Sequence, residues 1–375
     1  MGQTLQNKKR RICLALQGGG SLGAFTWGVL DVLLEDARIE IEGISGASAG
    51  AMNAVLLADG YARGGREGAR ESLRRFWRAV ASLGSMNLES RGPFESPWGA
   101  WQYFLSPVQQ WFQTVSQSLS PYDMNPLDIN PLRDIVSRYV DFSRVQESKQ
   151  IKVFVTATRV RTGKVEIFTG EKVTLDALMA SACLPTLYKA VKVDGDYFWD
   201  GGFGGNPALN PLIYRCASRD ILLIQINPTS RTDVPTSLHD IMDRMNEIRF
   251  NAGLLAEMRA IDFVDRLLAE GRLDPERYRS ILLHRIDGMK VFSEFGASSK
   301  FNTDLAFIEL LYERGREAAG AWLKDNFDRL GKESTVDIVG DYLDALRIGE
   351  EVVEHPERAC DLPSGSGRMA RSEMR

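Results

Sequence analysis

The sequence has little of the residues that mark several specialised classes of protein. It contains four cysteines among 375 residues, and they lie far apart with no CxxC pair. This spacing argues against a disulfide framework and against a cysteine metal site. The three histidines do not lie at ligand spacing from the cysteines. We therefore expect a reducing compartment, no metal and no cofactor.

Long apolar runs are also missing. No stretch approaches the roughly 18 apolar residues that a membrane-spanning helix needs. The apolar run 12–16, which follows a basic start, is too short for the core of a signal peptide. We expect a cytoplasmic location, with any contact to a membrane or lipid surface being peripheral.

Positive charge is not in excess. The chain has 46 Lys and Arg against 50 Asp and Glu, which gives a formal net charge of −4. It therefore lacks the broad cationic field on which nucleic-acid binding depends, and no nucleic-acid partner is expected. With 44% hydrophobic and 26% charged residues, the composition is that of a globular protein with enough material for one large core.

Two units of strand, glycine turn and helix open the chain. The apolar run 12–16 stops at three glycines, and Ser21 is expected to cap the helix that follows. A second strand over residues 39–45 leads into another small-residue turn and an apolar helix over 51–58. Such repeated units predict an α/β layered fold with mainly parallel strands. Residues 221–226 are predicted to be the last clear core strand.

The second turn contains a serine between small residues. Gly46, Ser48 and Gly50 fit the pattern G-x-S-x-G, in which a serine occupies a sharp strand-to-helix turn with its hydroxyl exposed above the sheet. The pattern alone is weak, and a glycine-rich turn that merely caps a helix has about the same weight. A strand before it and a helix after it favour the catalytic interpretation.

The first turn is a glycine-rich loop that runs from Gln17 to Gly23. Its backbone N–H groups can converge on one point and hold the negative oxygen of a tetrahedral intermediate. The same residues also satisfy the dinucleotide pattern G-x-G-x-x-G. That pattern requires an acidic residue at the end of the second strand, where this chain has Ser45 and Ser48 instead. Phosphate binding is therefore the weaker alternative.

An aspartate after a third predicted strand is the candidate base. Asp200 follows an apolar run and precedes two glycines, Gly201 and Gly202. A carboxylate becomes a better base when a partly dehydrated site raises its pKa. Most Asp-Gly pairs are simple turns, and Asp194-Gly195 is predicted to be one, as the turn of a hairpin.

Together these motifs, spread over residues 18–202, resemble the patatin-like phospholipase family. Residues 180–186 also look like the segment that precedes the aspartate in bacterial members. The resemblance covers roughly residues 11–228 and implies a three-layer α/β fold, in which helices flank a mainly parallel central sheet, with a C-terminal helical extension in addition.

The resemblance also implies roles for individual residues. Ser48 would attack the acyl carbonyl as nucleophile, Asp200 would take its proton, and the acyl-serine would then be hydrolysed. The implied oxyanion hole consists of the amides of Gly18, Gly19 and Gly20. The residues expected to support the motifs are Gly23, Gly46, Gly50, Gly201 and Gly202. One departure is Leu22, since many relatives carry Arg or Lys there.

The expected organisation has four parts. Residues 1–10 form a disordered N-terminus, 11–228 a catalytic domain, 229–350 a mostly helical C-terminal extension and 351–375 a disordered tail. Within the catalytic domain, residues 82–130 form an aromatic-rich insertion. This insertion suits an acyl-chain pocket or a lipid-facing surface, or a lid packed on the protein's own core.

The extension contains one apolar helical seam at spacings of three and four. Its members are Ile241, Met245, Ile248, Ala252 and Leu255. The seam either covers the domain as a cap, which the frequency of amphipathic helices favours, or forms a homodimer contact.

The predicted function is a serine acyl-hydrolase of lipids, such as a lipase or phospholipase. Phospholipid, glyceride and polyester substrates all stay open. One rival is a His-dependent esterase of the α/β-hydrolase type that uses His239 or His284, since His355 lies near the tail. Another is a catalytically silent lipid-binding module.

Overall fold

Eight strands form one sheet in the computed structural model, which describes residues 9–85, 120–231, 233–292 and 297–343. The strands are β1 (Arg10–Leu16), β2 (Ile39–Ala47), β3 (Lys152–Arg159), β4 (Val165–Thr169), β5 (Val191–Val193), β6 (Asp196–Asp200), β7 (Asp220–Gln225) and β8 (Leu282–Asp287). Strands β8, β7, β1, β2 and β3 run parallel in that order. Strands β4 and β6 pair antiparallel with β3, and β5 pairs antiparallel with β6.

Eleven helices accompany the sheet in the part of the chain that the structure describes. They are α1 (Gly23–Glu35), α2 (Ala49–Ser85), α3 (Pro121–Met124), α4 (Pro131–Tyr139), α5 (Phe142–Glu147), α6 (Leu175–Ser181), α7 (Asn210–Arg215), α8 (Leu238–Ala269), α9 (Met289–Phe292), α10 (Leu305–Asn326) and α11 (Ile338–Tyr342). Short 3-10 turns include Gly20–Leu22, Gly201–Phe203 and Ala297–Phe301. Helix α2 is kinked at Gly64 and Gly65, whose backbone is not helical.

Buried side chains lie on both faces of the sheet, as the alternation of strand residues requires. On β1, Ile12, Leu14 and Leu16 belong to a core that α1, α2 and α10 complete. The intervening Cys13 and Ala15 belong to a second core with residues of α7 and α8. The predicted three-layer α/β fold with a mainly parallel sheet is therefore confirmed.

The C-terminal segment shares this sheet and core. Strand β8 pairs in parallel with β7, so the prediction that residues 221–226 form the last core strand is wrong. The run 281–286 predicts a strand in spite of its arginine and histidine, and this is confirmed, since β8 is a mostly buried strand. Helix α10 packs against α1 and contributes Phe307 and Leu311 to the larger core. The region after residue 228 is otherwise mostly helical, as expected.

Several local predictions differ from the structure. Ser21 does not cap α1, because the turn Gly20–Leu22 runs directly into the helix and the capping position, Leu22, makes no side-chain bond to it. Strand β1 already begins at Arg10, inside the segment predicted to be disordered. Residues 1–8, the tail 351–375 and most of the aromatic insertion, at 86–119, lie outside the described residues. None of the described helices is long and apolar enough to cross a membrane.

Candidate active site

Ser48 occupies the turn between β2 and α2. Its φ of 52° lies in the left-handed region, which non-glycine residues adopt rarely and which recurs at functional turns. The turn is tight because its glycines touch backbone. A Cβ on Gly46 would lie 2.5 Å from the carbonyl carbon of Gly50, and one on Gly50 would lie 2.2 Å from the oxygen of Leu16. Helix α2 begins at the next residue, so its positive end points at Ser48.

Asp200 is brought to Ser48 by the order of the strands. Along β3, Ala47 at the end of β2 lies opposite Thr156, and Asp200 at the end of β6 lies opposite the next residue, Ala157. Strand β4 pairs with residues of β3 that also pair with β2 and with residues of β3 that also pair with β6. Because β4 occupies one edge of β3 there, β2 and β6 must both lie along the other edge. The two strands therefore meet end to end, and the residues that follow them converge.

The carboxylate of Asp200 is buried, with 1% of the residue exposed. Its Oδ1 accepts a hydrogen bond from the Gly202 amide at 2.7 Å, whereas Oδ2 is buried and has no partner among the described residues. Burial raises the pKa of Asp200 from 3.8 to about 7, against smaller lowering effects of the Gly202 amide, the Ser48 hydroxyl and the Lys300 ammonium. The Ser48 hydroxyl is therefore close enough to lower the pKa of Asp200. Hydrogen bonds between catalytic groups are often long when no substrate is bound.

Residues at the end of α6 connect the serine turn with the aspartate. The Ser48 amide donates a hydrogen bond to the Ser181 hydroxyl at 2.9 Å. The Asp200 amide donates to the carbonyl oxygen of Cys183 at 2.8 Å. The segment that resembles the family at residues 180–186 therefore holds both candidate catalytic residues in place.

The glycine loop is only partly available as an oxyanion hole. The Gly18 amide already donates to Oδ1 of Asn206 at 2.6 Å, so the prediction that Gly18 supplies a donor does not fit the structure. The Gly19 and Gly20 amides donate to no acceptor within the described residues. These two remain the candidate donors.

A network of buried hydrogen bonds centred on Gln17 holds the start of this loop. Gln17 Oε1 accepts hydrogen bonds from the amides of Ile226 and Asn227, and its Nε2 donates to Asn206 and Asn251. Sequence reasoning missed Asn206, Asn227 and Asn251, because they lie some 190 to 230 positions from Gln17 and no motif marks them. The only local signal is a polar glutamine directly after an apolar strand.

The other predicted glycines lie close to the same centre. A Cβ on Gly23, at the start of α1, would lie 2.8 Å from the Cβ of Ala49. A Cβ on Gly201 would lie 2.0 Å from the Thr156 oxygen, and one on Gly202 would meet the ring of Phe250 on α8. Asp194 and Gly195 form the predicted turn between β5 and β6, both with positive φ.

His284, the histidine whose side chain the structure describes, does not complete a triad with Ser48 and Asp200. His284 on β8 pairs with Leu222 on β7. Leu222 pairs with Leu14 on β1, which in turn pairs with Ile44 on β2. Three strand spacings and four residues of rise put His284 roughly 19 Å from Ser48. It is buried, with Nε2 3.0 Å from Asp220 Oδ1 and Nδ1 3.2 Å from the Thr335 hydroxyl, so its role is structural. His239 lies on α8, and His355 lies outside the described residues.

Helix α8 leaves much of its predicted apolar seam exposed. In its first half the exposed apolar residues are Leu238, Ile241, Met242, Met245 and Ile248. Of the five predicted seam residues, Ile241, Met245, Ile248 and Ala252 are exposed and Leu255 is half-buried. The prediction that the seam is a buried cap is therefore wrong for four of its five residues. In the second half Leu254, Met258 and Ile261 are buried against the sheet.

The described residues contain no group of three or more His, Cys, Asp or Glu side chains placed to hold a metal ion. The dinucleotide alternative is weakened too, since Asn206 already takes the first glycine amide that would face a phosphate.

A family model for patatin-like phospholipases matches residues 14–213, just over half of the chain. VipD from Legionella pneumophila has a similar solved structure, with 13% sequence identity and a TM-score of 0.42 over 90% of this chain and 73% of that one. ExoU from the type III secretion system of Pseudomonas aeruginosa, solved in complex with SpcU, shows 14% identity and a TM-score of 0.31, over 84% of this chain and 53% of that one. This chain thus spans about half the length of that ExoU chain. No curated protein matches the sequence.

Proposed function

The chain belongs to the patatin-like phospholipase family, which supports lipid acyl hydrolase activity, and we propose that it cleaves carboxylic esters of lipids with a dyad of Ser48 and Asp200. The observation that carries the proposal is the meeting of β2 and β6 on one edge of β3. It brings a serine in a strained turn beside a buried carboxylate whose pKa is raised to about 7.

The proposed reaction has two halves. The Ser48 oxygen attacks the acyl carbonyl while its proton passes to Asp200 Oδ2, and the Gly19 and Gly20 amides stabilise the negative oxygen that develops. Collapse of this intermediate breaks the ester bond, and the proton on Asp200 goes to the leaving alcohol. A water molecule, deprotonated by Asp200, then attacks the acyl-serine, which releases the fatty acid and returns the proton to Ser48.

Hydrolysis by matched variants tests the dyad. Ser48→Ala and Asp200→Asn are compared with Ser137→Ala, an exposed helical serine, and with Asp194→Asn, the aspartate of the other Asp-Gly turn. The substrates are p-nitrophenyl esters and phosphatidylcholine vesicles. We expect at least about a 10³-fold loss of kcat in the first pair and unchanged activity in the controls. Activity that persists in folded Ser48→Ala would overturn the proposal. A folded wild-type protein that hydrolyses none of these would favour a silent lipid-binding module.

We further propose that the exposed first half of α8 rests on the lipid surface. Its apolar residues end two positions before Phe250, whose ring packs beside Gly202 and 5.1 Å from the ring of Phe203. An apolar helical face next to a proposed lipid-cleaving site suits peripheral binding at an interface. A single helix thus connects this surface to the site.

Vesicle sedimentation tests this contact. Ile248→Glu should reduce binding to phosphatidylcholine vesicles, whereas Phe263→Glu, an equally exposed apolar position farther along α8, should not. Equal binding by both variants would overturn the lipid contact. A wild-type dimer that dissociates in Ile248→Glu would instead assign the seam to a homodimer interface.

A further inference from the structure

Lys300 lies directly on the glycine loop, although it is distant in sequence and lies outside the residues that the family model matches. It belongs to the 3-10 turn Ala297–Phe301. The Lys300 carbonyl oxygen lies 2.2 Å from the position that a Cβ on Gly20 would occupy. Gly20 has a φ of 60°, so its lack of a side chain permits both this backbone conformation and the close approach of Lys300.

The side chain of Lys300 is connected to the loop by two hydrogen bonds. Its Nζ donates to Oδ1 of Asn227 at 2.9 Å. Nδ2 of Asn227 in turn donates to the carbonyl oxygen of Gly18 at 2.6 Å. That carbonyl and the Gly19 N–H belong to the same peptide unit, which is planar and conjugated. A donor at one end of this unit therefore acts on the N–H at the other end.

We propose that Lys300 is a positioning residue of the oxyanion loop, which acts through Asn227 to orient and polarise the Gly18–Gly19 peptide. This rests on the proposed function, since it assigns the Gly19 N–H as an oxyanion donor. Hydrogen bonds in a chain strengthen one another, and a charged donor strengthens them further. The Gly19 N–H thereby becomes a better donor to the developing negative oxygen.

The loop supplies no cation of its own. Residues 17–23 contain no Lys or Arg, and Leu22 is buried in the core. A basic side chain at that position would leave its charge in apolar surroundings, which is unfavourable. Lys300 belongs to the C-terminal segment and reaches the glycine loop through Asn227. It therefore brings a positive charge to a loop that has no Lys or Arg of its own.

The pKa of Lys300 depends on its burial and on the charged side chains around it. Burial lowers the pKa of Lys300, while Glu247 and Asp243 of α8 and Asp200 of β6 favour its charged form, and Arg231 opposes it. Glu247 itself is held by Arg231 at 2.6 Å. The Nζ atom of Lys300 lies 5.9 Å from the centre of the Phe250 ring. A charged ammonium is attracted to the face of an aromatic ring, so this contact also favours the charged form of Lys300.

Charge-removing and charge-keeping variants test this role. Lys300→Met should lower kcat about tenfold, less than the loss of a whole oxyanion donor, with little change in KM. Lys300→Arg should restore most of kcat. Lys152→Met is the control for the loss of a lysine charge, because Lys152 donates to the Arg215 carbonyl oxygen at the start of β3, the end of the parallel strands opposite to the glycine loop. The Gly19 amide proton should move upfield in ¹⁵N-glycine spectra of Lys300→Met and return in Lys300→Arg.

Different outcomes separate this proposal from the proposed function. If kcat and the Gly19 shift are both unchanged in Lys300→Met, the role of Lys300 is refuted while the dyad stands. Equal losses in Lys300→Met and Lys300→Arg, accompanied by lower melting temperatures, would show a merely structural residue and refute it too. If the wild-type protein is inactive, the dyad proposal fails, and the Gly19 shift alone decides whether Lys300 acts on the peptide.

Discussion

Asp200 accepts a hydrogen bond from the Gly202 amide at 2.7 Å through one carboxylate oxygen, while the other oxygen is buried without a partner among the described residues. A buried oxygen with no donor is unfavourable for stability. It is also the atom that could take up a proton. The same feature that weakens the fold therefore suits a general base.

The pH dependence of hydrolysis should follow the ionisation of Asp200. Only the carboxylate form can accept the Ser48 proton, and burial raises the pKa of Asp200 to about 7. A group with that pKa is about 1% ionised at pH 5 and about 90% ionised at pH 8. We expect kcat/KM on a p-nitrophenyl ester to rise over this range with a midpoint near 7. A rate that is flat between pH 5 and 8 would exclude Asp200 as the base.

Replacement of Asp200 by asparagine should stabilise the protein at alkaline pH. The pKa of Asp200 is raised in the folded state, so the folded protein binds the proton more tightly than the unfolded chain. The stabilising effect of the proton on Asp200 is complete below about pH 4 and is lost as the pH rises through about 7. At pH 8 the ionised carboxylate lowers the free energy of unfolding by at most about 4 kcal/mol, and an uncharged amide avoids this.

Melting temperatures of both proteins at several pH values give the comparison. Asp200→Asn should melt above the wild type at pH 8, and the difference should shrink towards pH 5. A variant that melts below the wild type at every pH would contradict the assigned cost of the buried charge. Asp194→Asn, in the exposed turn between β5 and β6, is the control for the substitution itself.

His284 should matter for stability and not for the chemistry. Its replacement by alanine leaves a cavity and removes one of the two hydrogen-bond partners of Asp220 Oδ1, the other being the Gly331 amide, so we expect a loss of about 2 to 4 kcal/mol. Below its melting temperature the variant should keep kcat within about threefold, because the imidazole lies far from Ser48. Chemical denaturation and ester hydrolysis measure the two effects. A large loss of kcat in a folded variant would revive the His-dependent esterase, and His239→Ala completes this comparison.

The sequence could predict what depends on neighbouring residues. The strands over residues 12–16 and 39–45, the turn at Ser48 and the hairpin at Asp194 all follow from local patterns of apolar residues and glycine. The site also depends on contacts between distant segments, such as Gly18 with Asn206, which are 188 positions apart. Local periodicity carries no information on such pairs, and this is why the occupied Gly18 amide, the pairing of β8 with β7 and the position of Lys300 were not predicted.

A pair of glycine substitutions should separate the effect of the tight serine turn from general helix propensity. Gly50 and Gly320 both lie in helices, α2 and α10. A Cβ on Gly50 would collide with the Leu16 carbonyl at 2.2 Å, whereas one on the exposed Gly320 would meet nothing within 4 Å. Gly50→Ala must therefore push α2 away from β1, which costs about 1 to 3 kcal/mol and displaces Ser48. Gly320→Ala should instead stabilise the helix by about 0.5 to 1 kcal/mol.

Denaturant unfolding and ester hydrolysis on both variants measure these effects. We expect Gly50→Ala to lose stability and most of its kcat, because Ser48 no longer faces Asp200 and the Gly19 and Gly20 amides correctly. Gly320→Ala should gain stability with kcat unchanged. If Gly50→Ala keeps full activity, the close contact between the serine turn and the end of β1 does not set the position of the nucleophile, and the geometric basis of the proposed dyad would fail with it.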